Sequence, residues 1–543
     1  MSSSSFSSSS STSSSSLSSS STTLQWLSLV GIIWLQSING TNTNFPAYSS
    51  QLKELLSISQ IQLNNLAFAS DAGKLFGWFS GLASLYLPLW LVLIIGSTLG
   101  LIGYGVQYLF LTNHISNLSY WHVFLLTFLA GNSICWINTV CYVVTIRNFL
   151  SHSQVAVGIT TSYQGLSAKV YTNVVDAFFS PQKNKARAFL LLNSVLPLAI
   201  GLIVAPILRQ TKATSNSSSD YYIGFGVIFV ITIATGIYAV VSILEFVSSK
   251  ISSLGVLIGI LVSLFLPLLV PISFKINQLV KSWHENREKL RVYHYTLEEN
   301  YITNTNNDEV KESDEEEEKE VCVVREEIGV NLMVKRIDFW LYFFVYFFGA
   351  TIGLVFLNNL GQIAESRGSS NTSSLVSLSS SFGFFGRLMP SLMDYFYFRG
   401  KSRVSRPACM VALMSPMSCA FFLLQNSTEI SLYISTALIG VCTGAITSIA
   451  VSTTTELFGT KNFSVNHNVV VANIPIGSFI FGYSAAILYH KEGYNSNNIN
   501  NHGKCMGMDC YANTFKIWSC FCLLGTFLAL ILYVRTRKFY SQR

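Results

Sequence analysis

Residues 64–81 read NNLAFASDAGKLFGWFSG, a glycine-spaced apolar run that would pass for a membrane helix but for Asp71 and Lys74 near its middle. The chain around it is equally apolar. Its 543 residues are 50% hydrophobic, 13% aromatic and 11% charged, with mean hydropathy +0.44, whereas a soluble chain carries about 25% charged residues. Fourteen apolar segments run near 24–44, 66–86, 88–111, 120–146, 155–177, 187–208, 222–247, 251–274, 337–361, 372–393, 407–425, 429–452, 465–489 and 514–534. Stretches of about 20 apolar residues cross a bilayer as helices, and the alternation that marks a membrane barrel is absent. The expected fold is an all-α polytopic membrane protein whose first partner is the lipid bilayer.

The net charge of +7 does not imply nucleic acid, because the basic residues stand between apolar spans. Arg147, Arg209, Lys212, Lys281, Arg287, Lys289, Arg291, Arg399, Lys401, Arg403, Arg406, Lys461 and Arg535 fall on one side, which the positive-inside rule makes cytoplasmic together with both termini. Lys183, Lys185 and Arg187 dissent: either the rule is overridden there or a span near 155–177 is miscounted. Residues 1–23, nearly all Ser and Thr, are expected to be disordered; they lack the arginines of a transit peptide and the basic start of a cleaved signal. Of ten cysteines, Cys505 and Cys510 in KCMGMDC are a candidate disulfide in an external loop. No catalytic motif, metal-ligand set or cofactor site is present, so neither an enzyme nor an ATP-driven pump is expected.

The interval 276–336 opens basic (KSWHENREKLRVYHY), turns acidic (NDEVKESDEEEEKE) and divides the chain. The flanking blocks share a basic-Asn-Phe triplet after their fourth spans, Arg147-Asn148-Phe149 and Lys461-Asn462-Phe463. The expected order is a serine-rich start (1–23), an N-terminal six-helix half (24–208), an extra helix pair (209–275), a cytoplasmic linker (276–336), a C-terminal six-helix half (337–535) and a short tail (536–543). Six spans plus six about a long loop is the layout of major facilitator transporters. FGFFGRLMPSLMDYFYFRGKSRVSRP resembles their cytoplasmic loop motif, with Gly383, Gly386, Arg387 and Asp394; Arg387 and Asp394 are the candidate gate residues. The first half has no counterpart, since ASLYLPLW is uncharged.

FPAYSSQLKELLSISQIQLNNLAFASDAGKLFGWFSGLASLYLPLW and GLIGYGVQYL resemble the opening domain of plant nodulin-like proteins. TELFGTKNFSVNHN, ANIPIGSFIFGY and YVRTRKFY resemble the companion domain named after NUCLEAR FUSION DEFECTIVE. The resemblance covers nearly the whole chain after residue 23 and implies a plant major-facilitator membrane protein without naming a substrate. GLSAK departs from the pattern by placing Lys169 in the membrane.

Asp71 and Lys74 are separated by about 60° around a helix, roughly 8 and 3 Å from the midplane. Facing lipid, each would cost about 2.5–3.5 kcal/mol, so both are expected to face the bundle interior and each other. They are read either as an ion pair locking two helices of the first half or as a contact for solute or proton. Lys169, with no acid within one turn, is read either as a contact for an anionic ligand, which would then be a carboxylate, or as a cation that pairs with Glu245 or Asp71 of another span or snorkels. Asn42, Asn138 and Asn358 are read either as solute-binding amides or as helix-to-helix hydrogen bonds. The expected function is a secondary transporter of a small organic solute, with protons the candidate coupling ion and the plasma membrane its first location, the vacuolar membrane its second. The alternative is a transporter-shaped receptor or organising protein.

Overall fold

The computed structural model describes residues 10–179, 184–208, 218–243, 251–299, 325–369, 372–397, 405–495 and 505–541, and these are helical, without a strand. The N-terminal half comprises α1 (Ser10–Ile38), α2 (Phe45–Leu56), α3 (Gln60–Ala72), α4 (Gly77–Tyr86), α5 (Leu89–Leu111), α6 (Tyr120–Asn148), α7 (Ser153–Phe178) and α8 (Lys185–Val204). Then come α9 (Ser218–Val241), α10 (Ser253–Phe265) and α11 (Leu269–Glu299). The C-terminal half comprises α12 (Ile337–Tyr346), α13 (Ile352–Ser366), α14 (Thr372–Tyr397), α15 (Arg406–Leu423), α16 (Glu429–Phe458), α17 (Phe463–Val471), α18 (Asn473–Asn495) and α19 (Asp509–Ser541). Ten helical segments among the described residues are long and apolar enough to cross a membrane, and Thr22–Ile38 is a shorter apolar one. α7 and α14 have spanning length but are richer in hydroxyl groups, because they face the middle of the molecule and not lipid.

The first span differs from its expected limits of 24–44. Helix α1 ends at Ile38, the chain turns through Thr41–Asn44, and α2 resumes the climb. Its contacts mark the depth. Asn39 donates to the Ile134 carbonyl at 3.3 Å, halfway along α6; Asn44 donates to Asn193 at 2.9 Å; and Gln51 accepts from the Ala186 amide at 2.6 Å, in the first turn of α8. The amide run NGTNTN therefore lies at mid-depth. Non-helical backbone is tolerated there only where it lines a cavity or is buried in protein, and Asn42 and Thr43 do line one. The start also differs: residues 1–9 lie outside the described ones, but from Ser10 the serine tract is helical, extending a helix already nucleated by the apolar residues after it.

The second span is broken as well. Ser59 caps α3 in a reciprocal capping box with Gln62, and α3 gives way to a 3₁₀ turn at Gly73–Phe76 before α4 continues. The break sits where two backbones touch. A Cβ on Gly73 would stand 2.2 Å from the Phe128 carbonyl oxygen, and one on Gly131 would stand 1.8 Å from that of Ser70. Asn132 closes the contact by donating to the Gly73 carbonyl at 2.8 Å. In the C-terminal half the first span carries a π turn at Phe347–Thr351 between α12 and α13.

The halves meet along two seams. In one, α7 packs on α14: Gly165 lies against the Phe384 backbone, Gly158 against Ser391, and Ser391 donates to the Val155 carbonyl at 2.7 Å. In the other, α3 and α4 pack on α18 and α17, with Ser464 donating to the Gly81 carbonyl at 3.1 Å. Fifth span meets second span, and second meets fifth, a pseudo-two-fold arrangement. α9 and α10 cover the outside of the α7–α14 seam through a cluster of Trp26, Tyr163, Phe225, Ile260 and Phe384, and Trp34 donates to the Leu264 carbonyl at 2.8 Å.

The span near 155–177 is one continuous helix, α7, and α8 follows it, so Lys185 and Arg187 at the start of α8 remain at odds with the charge rule; Lys183 lies outside the described residues. The acidic run of the middle loop also lies outside them. Its last residues dock on the inner end of α16: the Arg325 amide donates to the Glu456 carbonyl at 2.8 Å, and Glu327 accepts from the Thr460 and Lys461 amides at 3.0 and 3.1 Å. On the outer face Cys505 and Cys510 form a disulfide before α19.

Candidate functional site

Between the halves lies a cavity of about 80 Å³, on the order of six water molecules in size. The N-terminal half lines it with Asn42, Lys74, Asn138, Tyr142 and Gln164, and the C-terminal half with Tyr346, Arg387, Thr447, His467 and Asn468. A row of hydrogen bonds crosses it. Asn138 accepts from Asn39 at 2.9 Å and from Gln164 at 3.3 Å, and Gln164 accepts from Arg387 Nη1 at 3.3 Å. The same Nη1 also donates to the Thr161 carbonyl at 3.3 Å, while Arg387 Nε is buried without a partner.

This placement separates the two expected gate residues. Arg387 and Asp394 are two turns apart on α14, too far to pair, and Arg387 points into the cavity. Asp394 pairs instead with Arg406, at 2.8 Å. Arg406, 3% exposed, also meets Glu456 at 3.2 Å, and Tyr540 donates to Glu456 at 2.6 Å. From the other half Gln154 joins in, its amide bonding both Arg406 and Glu456. This inner network therefore joins α14, α15, α16 and α19 and touches α7.

Asp71 and Lys74 meet as read, with Nζ 2.5 Å from Oδ1, both nearly fully buried. The pair does not lock two helices of the first half, however. Its acid reaches across to the second: Asn358 on α13 donates to Asp71 Oδ2 at 3.1 Å, and Ser478 on α18 donates to the same oxygen. Nearby, Gln362 donates to Asn64 at 2.7 Å and accepts from Tyr511 at 2.8 Å. Asn358 and Ser478 also line a separate outer crevice of about 290 Å³ with Asn64, Phe68 and Tyr483. Since Lys74 lines the central cavity, the ion pair forms the wall between cavity and crevice.

Lys169 is buried at 6% exposure but does not line the central cavity; its neighbour Ala168 does line a second lobe. Asn42 and Asn138 reach the cavity and Asn358 does not. Sequence reasoning missed Gln164, Tyr142, Tyr346 and the Arg406–Glu456 pair. Glu456 gave a weaker signal than Asp71, a charge at the end of an apolar span and not within one, and its partner lies 50 residues away. His467, stacked on Phe463 and 3.3 Å from Thr454, belongs to no metal-ligating group among the described residues.

Comparison with known proteins matches residues 25–272 to the Nodulin-like family and residues 320–542 to NFD4, C-terminal domain. The chain is 37% identical over 530 residues to Protein NUCLEAR FUSION DEFECTIVE 4 of Arabidopsis thaliana, covering 95% of this chain and 90% of that one. Among solved structures it is similar to the proton:xylose symporter XylE of the major facilitator superfamily, with TM-score 0.54 and 12% identity over 93% of this chain and 95% of that one. It is similar also to the E. coli fucose:proton symporter FucP, with TM-score 0.50 and 10% identity over 93% and 98%. At such identities the likeness is one of fold.

Proposed function

The chain belongs to the nodulin-like family with the NFD4 C-terminal domain, multi-pass membrane proteins of major facilitator fold, and from that premise we propose that it is a secondary transporter of a small organic solute, working by alternating access. The observation that carries this reading is the central cavity, lined by polar side chains of both halves. The rival reading, a receptor that moves no solute, expects an apolar, plugged midplane.

The halves 24–208 and 337–535 are the moving bodies, the pair 209–275 flanks them, and the linker 276–336 joins them. Among the described residues Lys74, paired with Asp71, and Arg387 line the cavity and no carboxylate does, so its electrostatics favour a carboxylate solute over a cation. XylE and FucP are proton symporters, and protons are the coupling ion to test here. The plasma membrane is the proposed location, ahead of the vacuolar membrane.

Uptake into liposomes carrying the purified protein, across labelled carboxylates, amino acids and sugars with and without an inward proton gradient, tests the reading. Saturable uptake of one class supports it. Folded protein that takes up nothing favours the receptor.

A further inference from the structure

We infer that Arg387 is the anchor for the carboxylate of a small monocarboxylic acid whose short apolar tail occupies the second lobe of the cavity. The inference rests on the transporter reading above and names its substrate class and the residue that selects it.

Three observations converge on Arg387. First, it is a cation without an anion. Among the described residues no carboxylate pairs with it; Nη1 reaches only two neutral acceptors at 3.3 Å, and Nε is buried with none. A guanidinium has five donors in a planar fork that matches a carboxylate, and a buried cation in a membrane protein is costly until its charge is met.

Second, the other cations are already engaged or elsewhere. Lys74 is held by Asp71 at 2.5 Å, Arg406 by Asp394 and Glu456, and Lys169 does not line the cavity. The surplus at the cavity is one positive charge. A monoanion balances it, whereas a dicarboxylate brings a second charge with no partner.

Third, Arg387 stands at the waist of a two-lobed space. Arg387, Gln164, Thr43 and Leu354 line both the polar lobe of about 80 Å³ and a second lobe of about 50 Å³. The second lobe is walled mainly by Gly165, Ala168, Leu357, Val376 and Ile439, with the hydroxyls of Ser379, Ser380 and Thr443 between them. A carboxylate on Arg387 directs a short aliphatic tail there, and leaves an α-hydroxyl or α-keto oxygen within the amide row of Gln164 and Asn138.

The test uses full-length protein in liposomes with labelled lactate, butyrate, succinate and glucose, beside thermal unfolding of each variant with and without the same solutes. Expected are saturable lactate and butyrate uptake without succinate or glucose uptake. Arg387→Gln should abolish it, Arg387→Lys should raise the half-saturating concentration about tenfold because the fork is lost, and Ala168→Leu should reduce butyrate uptake more than lactate uptake. If Arg387→Gln does not fold, Arg387→Lys and Ala168→Leu decide the matter. Uptake that is indifferent to Arg387, or that favours succinate or glucose, overturns this inference and leaves the transporter reading standing. No uptake of any solute by folded wild-type protein overturns both.

Discussion

The outer wall around Asp71 and the inner network around Arg406 both tie the halves together at buried charges, yet they distribute those charges differently. On the outer side, anion and cation sit three residues apart on one broken span, and Asn358 and Ser478 reach the acid from the other half. On the inner side, one cation holds two carboxylates from two other helices of the same half, and the Gln154 amide reaches them from the other half. In both, the ion pairs lie within one half, and the crossing hydrogen bonds from Asn358, Ser478 and Gln154 come from neutral groups. Parting the halves at either end thus breaks neutral hydrogen bonds and leaves no charge without its partner, a separation far cheaper than splitting a buried ion pair. The difference lies in the span of the pairing: the inner network welds helices of the C-terminal half, while the outer one fixes a single turn.

The largest effect is therefore expected at Arg406. Arg406→Met leaves two buried carboxylates and should cost about 3–5 kcal/mol, read as a fall in thermal unfolding midpoint or loss of folded protein. An unchanged midpoint would show that the inner network welds nothing. Asp71→Asn leaves Lys74 unpaired and should cost about 2.5–3.5 kcal/mol; Asp71→Asn with Lys74→Met should recover most of it, because no charge remains. If the double variant is no better than the single one, the crossing bonds to Asn358 and Ser478 outweigh the pair. Gly131→Ala, on the outer side only, should cost about 1–3 kcal/mol by forcing α3 from α6, and should disturb labelling of a cysteine in the crevice more than one near Gln154. Smallest are the crossing bonds, at about 0.6 kcal/mol each. Gln154→Ala should increase labelling from the inner face and Asn358→Ala from the outer face; the same direction for both would refute their opposed roles.

Much of this was legible in the chain. Apolar length marked the spans, since lipid permits few alternatives, and the pair at Asp71 and Lys74 was legible because its members lie one turn apart. What failed to show was depth and direction. NGTNTN read as the end of a span because a polar run halfway along a broken helix and a polar run at its end have the same composition. Arg387 and Asp394 read as gate residues through their shared motif, yet two turns separate them, and Asp394 joins the Arg406 network while Arg387 reaches into the cavity. Lys169 drew attention as an unpaired charge, but sequence does not say which side of α7 meets the cavity.

Gly73 and Gly131 never touch the cavity, yet their backbone contact fixes the height at which Asp71 meets the second half. In genetic terms they are positions without a conservative allele. Any missense change adds at least one carbon where a carbonyl oxygen already stands, so a mutagenic screen for loss of transport should recover lesions at these two codons as readily as at Arg387. Their signature would differ: little protein reaches the membrane, whereas Arg387 alleles accumulate normally and fail only in uptake.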